Sequence, residues 1–308
     1  MASIDIGTNT VRCLVGRVEE STLQVELVRR EIVRLGSGLR VGGGLRSGPV
    51  SRLMEVLTSF GALVRELHCR RVWVVGTSAL RDVGSRSRVM EEAQAALGLP
   101  IDVISGEQEA ALTASGVRAG IGDFIDGLVV DIGGGSTELI RVSGAGIDWW
   151  TSIPEGVVHL TEELLLDDPP TRAQTGALER RWKGLLLREP EDAGIRLAGT
   201  AGTPTTLAAL DLGIDEYDPS LVNGHVLSRS RIALLRRALL GVDAAGRLRF
   251  PGMEKGREDL IVAGVIMIEE IMKRWNFQSM IVSDWGLLEG VALEAARGRG
   301  SEVPVPTG

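Results

Sequence analysis

The chain has 308 residues, a length that suits about two domains, and its 44% hydrophobic and 24% charged residues are those of a globular protein able to bury a core. No apolar run approaches the ~20 residues that cross a bilayer, the Met1-Ala2-Ser3-Ile4-Asp5 start lacks the basic-then-apolar order of a secretory signal, and a net charge of −7 argues against a general nucleic-acid coat. Two cysteines, Cys13 and Cys69, and three scattered histidines, His68, His159 and His225, are too few for a disulfide framework or a His/Cys metal centre. The expectation is a cytoplasmic protein with no membrane segment and no nucleic-acid partner.

In chain order, residues 2–6 read as a buried strand ending in Asp5-Ile6-Gly7-Thr8-Asn9-Thr10. Strands over 11–18 and 23–35, with a turn near Glu20-Ser21, complete an antiparallel meander. A glycine-rich loop over 36–48 follows, and apolar residues at Leu53, Val56, Leu57, Phe60, Leu63 and Val64 predict a helix over 50–67. A strand over 72–75, a helix over 86–97, a strand over 101–104 and a helix over 107–117 then alternate as in α/β domains. Near Gly120 the pattern restarts: the strand over 128–132 again ends in Asp-Ile-Gly, within Asp131-Ile132-Gly133-Gly134-Gly135-Ser136-Thr137, and strands over 138–142 and 147–153 follow. The two Asp-Ile-Gly turns lie 126 residues apart, which points to a duplicated domain. Helices are expected over 156–166 and 172–187, and a third glycine turn near 197–203 leads from a strand over 195–198 into a helix ending at Leu210. The longest later helix is expected over 257–275, then a strand over 280–283 and a helix over 287–296, with a tail that frays from 297. The expected domains are 1–119 and 120–308, the last helix (about 286–298) being a candidate to pack back on the first.

A carboxylate at the end of a buried strand can hold Mg²⁺ directly or through water, and the glycines after it let a phosphate reach backbone N–H groups. Thr8, Asn9, Thr10, Ser136 and Thr137 add neutral donors. A single turn of this kind is as readily a tight hairpin; two matched copies, each behind an apolar strand, favour ligand chemistry. Only Lys183, Lys255 and Lys273 are lysines among the 34 basic residues, a skew that reads as GC-rich codon usage overall. Arginines inside motifs are a separate matter, because a guanidinium binds oxyanions through two parallel hydrogen bonds. The histidines and the Trp149-Trp150 pair read as structural.

Asp5-Ile6-Gly7-Thr8-Asn9-Thr10-Val11-Arg12 and Val130-Asp131-Ile132-Gly133-Gly134-Gly135-Ser136-Thr137-Glu138 resemble the two phosphate loops of the exopolyphosphatase/guanosine pentaphosphate phosphohydrolase family. Gly76-Thr77-Ser78-Ala79-Leu80-Arg81-Asp82, Ile104-Ser105-Gly106-Glu107-Gln108-Glu109-Ala110, Gly199-Thr200-Ala201-Gly202-Thr203-Pro204-Thr205-Thr206 and Val282-Ser283-Asp284-Trp285-Gly286-Leu287-Leu288-Glu289-Gly290 match in family order, so the resemblance spans nearly the whole chain, in the short two-domain form. It implies an α/β architecture of two duplicated ribonuclease-H-like domains, as in the actin, Hsp70 and sugar kinase superfamily, facing across a cleft. The implied activity is that of a phosphoanhydride hydrolase, an exopolyphosphatase releasing orthophosphate from the end of inorganic polyphosphate with Mg²⁺ or another divalent cation. Guanosine pentaphosphate 5′-phosphohydrolysis, with a place in the stringent response, and non-catalytic polyphosphate or alarmone sensing are the alternatives. A homodimer is compatible with either.

By the same resemblance, Glu109 is the catalytic glutamate acting on the attacking water, with Glu138 as its catalytic companion and Glu107 as a competing carboxylate. Asp5, Asp131 and Glu138 are the implied metal carboxylates. Thr8, Asn9, Thr10, Arg12, Arg81, Gly133, Gly134, Gly135, Ser136 and Thr137 are implied to hold the substrate phosphate. Asp284 either contacts the site or caps the final helix. One departure stands out: Ala111 occupies the position, two after Glu109, where family members commonly carry arginine.

Overall fold

Every residue of the opening run is buried in the computed structural model, where it forms strand β1 (Ala2–Ile6). The structure describes all residues except 21, 40–43, 84–87, 123, 125, 145, 187–193 and 304–308, together with the side chain of Val83. The turn residue Ser21, part of the glycine-rich loop, the start of the helix expected from 86 and the end of the one expected to 187 therefore lie outside the described residues. A strand buried on both faces belongs at the centre of a sheet. β1 accordingly pairs antiparallel with β2 (Thr10–Glu19) and parallel with β4 (Arg71–Gly76). β3 (Thr22–Ile32) continues the meander beyond β2, and β5 (Asp102–Val103) pairs parallel with β4.

Helices cover both faces of this sheet. On one face lies α1 (Ser47–Glu66), whose stripe of Leu53, Val56, Leu57, Phe60 and Val64 joins Ile4, Ile6, Val11 and Val74 in one core with Met90 and Leu97 of α3 (Arg88–Leu97). After β4 comes the short α2 (Ser78–Val83), and after β5 comes α4 (Gly106–Gly120). A reciprocal capping box closes the start of α4: Ser105 N–H donates to Gln108 Oε1, and Gln108 N–H donates to Ser105 Oγ.

The chain divides into two units, residues 1–119 with 286–308, and residues 120–285. In the second unit β6 (Gly127–Ile132) repeats the part of β1, buried throughout and flanked by antiparallel β7 (Thr137–Ser143) and parallel β9 (Arg196–Thr200). β8 (Gly146–Ile153) extends the meander, while β11 (Ser279–Val282) and then β10 (Val226–Ser228) extend the other side. Both sheets thus follow one plan, in which an antiparallel meander of three strands is extended by parallel strands on the far side of its first strand. This is the ribonuclease-H-like order, present twice. Around the second sheet pack α5 (Val157–Leu164), α6 (Arg172–Leu185), α7 (Gly202–Leu212), α8 (Pro219–Val222), α9 (Arg229–Leu240), α10 (Ala244–Arg247) and α11 (Ile261–Arg274). Trp182 is fully buried there, and its indole N–H donates to the Met267 carbonyl at 3.1 Å. The long helix expected from 257 begins at Ile261, because residues 257–260 form a turn.

The last helix, α12 (Leu287–Ala296), belongs to the first unit. Two glycines let it lie against α4: a Cβ on Gly290 would stand 1.9 Å from the Leu112 carbonyl oxygen, and one on Gly116 1.9 Å from that of Gly286. The tail does not fray where the sequence suggested. β12 (Ser301–Glu302) pairs antiparallel with β4, and Val303 N–H donates to the Arg70 carbonyl at 3.0 Å. Backbone pairing on the exposed side of β4, with the Arg71–Glu302 ion pair, holds the segment despite its glycines.

Gly290→Ala forces a side chain against backbone and should cost about 1–3 kcal/mol. Gly184→Ala, at an open helical position with nothing within 4 Å of the added carbon, should gain about 0.4–1 kcal/mol. Urea midpoints of the two variants, at unchanged slope, check both signs.

Candidate active site

The first loop starts from the turn between β1 and β2. Gly7 N–H donates to the Thr10 carbonyl at 3.0 Å, and a Cβ on Gly7 would stand 3.0 Å from that same oxygen, so the turn closes tightly only on glycine. Just before it, Asp5 is 4% exposed. Its cross-strand neighbour is Arg12, whose Nε and Nη2 both donate to Asp5 Oδ2, at 3.1 and 2.6 Å. The other oxygen, Asp5 Oδ1, is buried and has no hydrogen-bond partner, and the same holds for Asn9 Oδ1. The loop is fastened from behind. Thr8 O accepts from Gly36 N–H at 2.8 Å, and Asn9 O accepts from Val33 and Arg34 N–H at 2.9 and 2.8 Å. A Cβ on Gly36 would come within 2.2 Å of Thr8 Cγ2.

Glu109 lies in the first turn of α4 and is buried, whereas Glu107 and Ala111 are exposed. Arg81 of α2 donates through Nη1 to Glu109 Oε2 at 2.7 Å and to the Ile104 carbonyl at 3.0 Å. Both arginines singled out in the sequence are therefore engaged with carboxylates singled out there as well. Arg12 holds Asp5, and Arg81 holds Glu109 in one orientation.

The second loop closes with the same backbone hydrogen bond as the first. Gly133 N–H donates to the Ser136 carbonyl at 3.0 Å, and a Cβ on Gly133 would again stand 3.0 Å from that oxygen. Asp131 ends β6 as Asp5 ends β1, and its cross-strand neighbour is Glu138, at the place that Arg12 takes in the first unit. Glu138 is 1% exposed and accepts from Ser152 Oγ at 2.7 Å. Here the fastening comes from α5: Val157 and Val158 N–H donate to the Gly133 and Gly134 carbonyls at 3.0 and 2.9 Å. Gly156 makes the approach possible, since its Cβ would lie 2.4 Å from Gly134. Thr137 is turned away from the loop opening, its hydroxyl donating to the Glu155 carbonyl at 2.8 Å.

Three features had no signal in the sequence reading. Glu155, buried beside the second loop, forms an ion pair with Arg181. The third glycine turn passes through Ala201 at a φ of +68°, a left-handed position that alanine occupies only under strain. Arg257, in the segment read as the start of a helix, lies across that turn: a Cβ on Gly202 would meet its Nη1 at 1.6 Å, and its Nε donates to Glu254 at 2.5 Å. Asp284 does not cap the final helix. Glu289 does so by accepting from Gly286 N–H at 2.7 Å, while Asp284 accepts from the Tyr217 hydroxyl. His225 is bonded to Asp211 at 2.8 Å, and Trp149 packs on the second core. Cys13 and Cys69 are free and buried; burial first, and the neighbouring Cys69 second, push the Cys13 thiol up to about 12, so it behaves as core.

Among the described residues no group of three or more His, Cys, Asp or Glu side chains is gathered to hold a metal ion. The donor chemistry still suits a hard divalent cation. Mg²⁺ is commonly bound through one or two carboxylates, the rest of its shell coming from water and substrate phosphates. The opposed Asp131–Glu138 pair and the unpartnered Asp5 Oδ1 are oxygens of that kind.

Two ribonuclease-H-like units, each with a glycine turn and a buried carboxylate at the end of its central strand, define a duplicated α/β protein equipped for phosphate chemistry. The chain belongs to the Ppx/GppA phosphatase family, whose model matches residues 14–297. It is 32% identical to exopolyphosphatase 2 of Mycobacterium tuberculosis over 96% of this chain and 98% of that one. It is 28% identical to the guanosine-5′-triphosphate,3′-diphosphate pyrophosphatase of Vibrio cholerae over 95% of this chain and 58% of that one. Among solved structures, a Ppx/GppA enzyme of Aquifex aeolicus matches with a TM-score of 0.79 at 32% identity over 95% and 98% of the two chains. An exopolyphosphatase from Cytophaga hutchinsonii matches with a TM-score of 0.87 at 26% identity over 96% and 97%.

Removing Arg12 would leave the buried Asp5 carboxylate without its counter-charge. Breaking one side of a buried pair costs about 3–5 kcal/mol, and the partial exposure of Arg12 puts Arg12→Met toward the lower end. Adding Asp5→Asn should return much of that loss, as urea denaturation of the single and double variants would report.

Proposed function

We propose that this protein is an exopolyphosphatase, releasing orthophosphate from the end of inorganic polyphosphate by attack of water on the terminal phosphorus. The observation that carries this reading is the pair of identically closed turns, each placing backbone amides and hydroxyls beside a buried carboxylate. Hydrolysis of a phosphoanhydride asks the protein for little besides positioning and charge neutralisation, and those are what the two loops offer. Guanosine pentaphosphate 5′-phosphohydrolysis is the second reading, motivated by the Vibrio cholerae relative. The first is preferred on identity, 32% to the exopolyphosphatase relative against 28% to the other.

In this reading the amides of each turn, 7–10 and 133–137, with the side chains of Thr8, Asn9, Thr10 and Ser136, hold non-bridging oxygens of the substrate's phosphates. Glu109, oriented by Arg81, accepts a proton from the attacking water. The bond between the terminal phosphorus and its bridging oxygen breaks, and the shortened chain departs with the electron pair. Asp131 and Glu138 in the second unit and Asp5 in the first are the carboxylates that would serve Mg²⁺, which when bound neutralises charge on the phosphoryl oxygens. Buried free thiols suit a reducing, cytoplasmic setting.

Chelation should abolish phosphate release and Mg²⁺ should restore it; full activity in chelator would remove the cation from the reading. Glu109→Gln keeps shape and hydrogen bonding but not the proton acceptor, so kcat should fall about 10²–10⁴-fold with substrate affinity nearly unchanged. Steady-state phosphate release on polyphosphate and on guanosine pentaphosphate, run side by side, measures these effects and ranks the two substrates.

A further inference from the structure

The second phosphate loop presents its amides because its carbonyls are taken. In a trans peptide the carbonyl of one residue and the N–H of the next point in opposite directions. Val157 and Val158 of α5 hold the carbonyls of Gly133 and Gly134, so the N–H groups of Gly134 and Gly135 face away from that helix. Among the described residues neither of these two amides donates to a protein acceptor. The Thr137 hydroxyl, donating to the Glu155 carbonyl at 2.8 Å, ties the end of the loop to the same segment. The direction of the loop's donors is therefore set by the main chain of residues 155–158, outside the loop itself.

That segment is in turn gripped by one guanidinium. The Glu155 carboxylate, 6% exposed, accepts from Nη2 of Arg181 on α6. Nη1 of the same arginine donates to Glu163 Oε2, in the last turn of α5, at 2.5 Å. A planar fork fixes the angle between the two carboxylates it binds, so Arg181 sets both the approach to α5 and its far end. An ion pair between two exposed groups contributes little; here one carboxylate is buried, and taking away its counter-charge costs much more. The first loop is held differently, by main-chain N–H groups of Val33, Arg34 and Gly36 at the end of its own meander.

We propose that Arg181 is a positioning residue of the second phosphate loop, its fork between Glu155 and Glu163 holding residues 155–158 where they aim the Gly134 and Gly135 amides at substrate. The inference rests on the phosphohydrolase reading above and deepens it, by giving a role in the reaction to a side chain on α6 that touches no part of the loop. Arg236 of α9 supplies a matched control within the same unit. It too forks between two carboxylates, Glu179 of α6 and Glu269 of α11, and it bonds to neither phosphate loop.

Arg181→Met, Arg181→Lys and Arg236→Met would be compared with the parent protein by amide hydrogen exchange and by phosphate release from tripolyphosphate and long-chain polyphosphate. In Arg181→Met the fastening amides of Gly133, Val157 and Val158 should exchange about tenfold faster, as local opening becomes easier. Its kcat/KM should fall about tenfold on both substrates, the effect of a misplaced donor set. Arg236→Met should melt lower as well, yet leave those three amides and the kinetics as in the parent. Arg181→Lys keeps a charge beside Glu155 without the fork and should recover part of both losses; if Arg181→Met does not fold, Arg181→Lys decides by the same readings. Unchanged exchange at the three amides, or an equal change in Arg236→Met, overturns the proposal. A loosened loop with parental turnover overturns it too. A parent that releases no phosphate defeats the hydrolase reading alone, because exchange reports the hold of Arg181 on the loop without turnover.

Discussion

Each sheet buries a carboxylate at the end of its central strand, and much else in each unit follows from tolerating it. Asp5, Asp131 and Glu138 are 4%, 7% and 1% exposed, and an uncompensated charge at such depth costs several kcal/mol. The strand must therefore stop at once, in a turn short enough to bring polar backbone beside the carboxylate. Glycine at 7 and 133 is what closes that turn. The turn must in turn be held, which is why Gly36 and Gly156 give up their side chains so that a second layer of backbone can reach the loop carbonyls.

From that common constraint the two copies diverge at one register position. The residue opposite the strand-end aspartate is arginine in the first unit and glutamate in the second. A guanidinium neutralises its aspartate within the first unit; in the second the opposed residue is itself a carboxylate, which accepts from the Ser152 hydroxyl. Duplication supplied two equal scaffolds, and the charge opposite the strand-end aspartate is reversed between β2 and β7.

The loops were legible in the sequence because their chemistry is local: Asp-Ile-Gly behind an apolar run states strand, stop and turn in a few residues, and its recurrence stated the duplication. The order of the meanders was legible for the same reason. The engagement of Arg81 with Glu109 was not, because the two lie 28 residues apart and meet only through the crossover that places α2 beside α4. Arg257 was hidden by a periodicity that continued into a turn. The end of the chain misled in the opposite way, since its glycines describe an unpaired tail while the open side of β4 offers it backbone partners that composition does not reveal.

The contact between α4 and α12, through Gly116 and Gly290, also sets an order of assembly. Residues 120–285 are an insertion within a unit that is completed only by residues 286–308. On a ribosome, the middle of the chain can condense while its surroundings still wait for their last helix. Strand β1 is thus among the last elements to be sealed, and Ser3, whose hydroxyl donates to the Leu288 carbonyl at 2.8 Å, bonds across 285 positions of sequence. Loops of that span close slowly and leave apolar surface open in the interval. For this fold the vulnerable period falls late in synthesis, and its aggregation-prone face is the side of the first sheet that α12 has yet to cover.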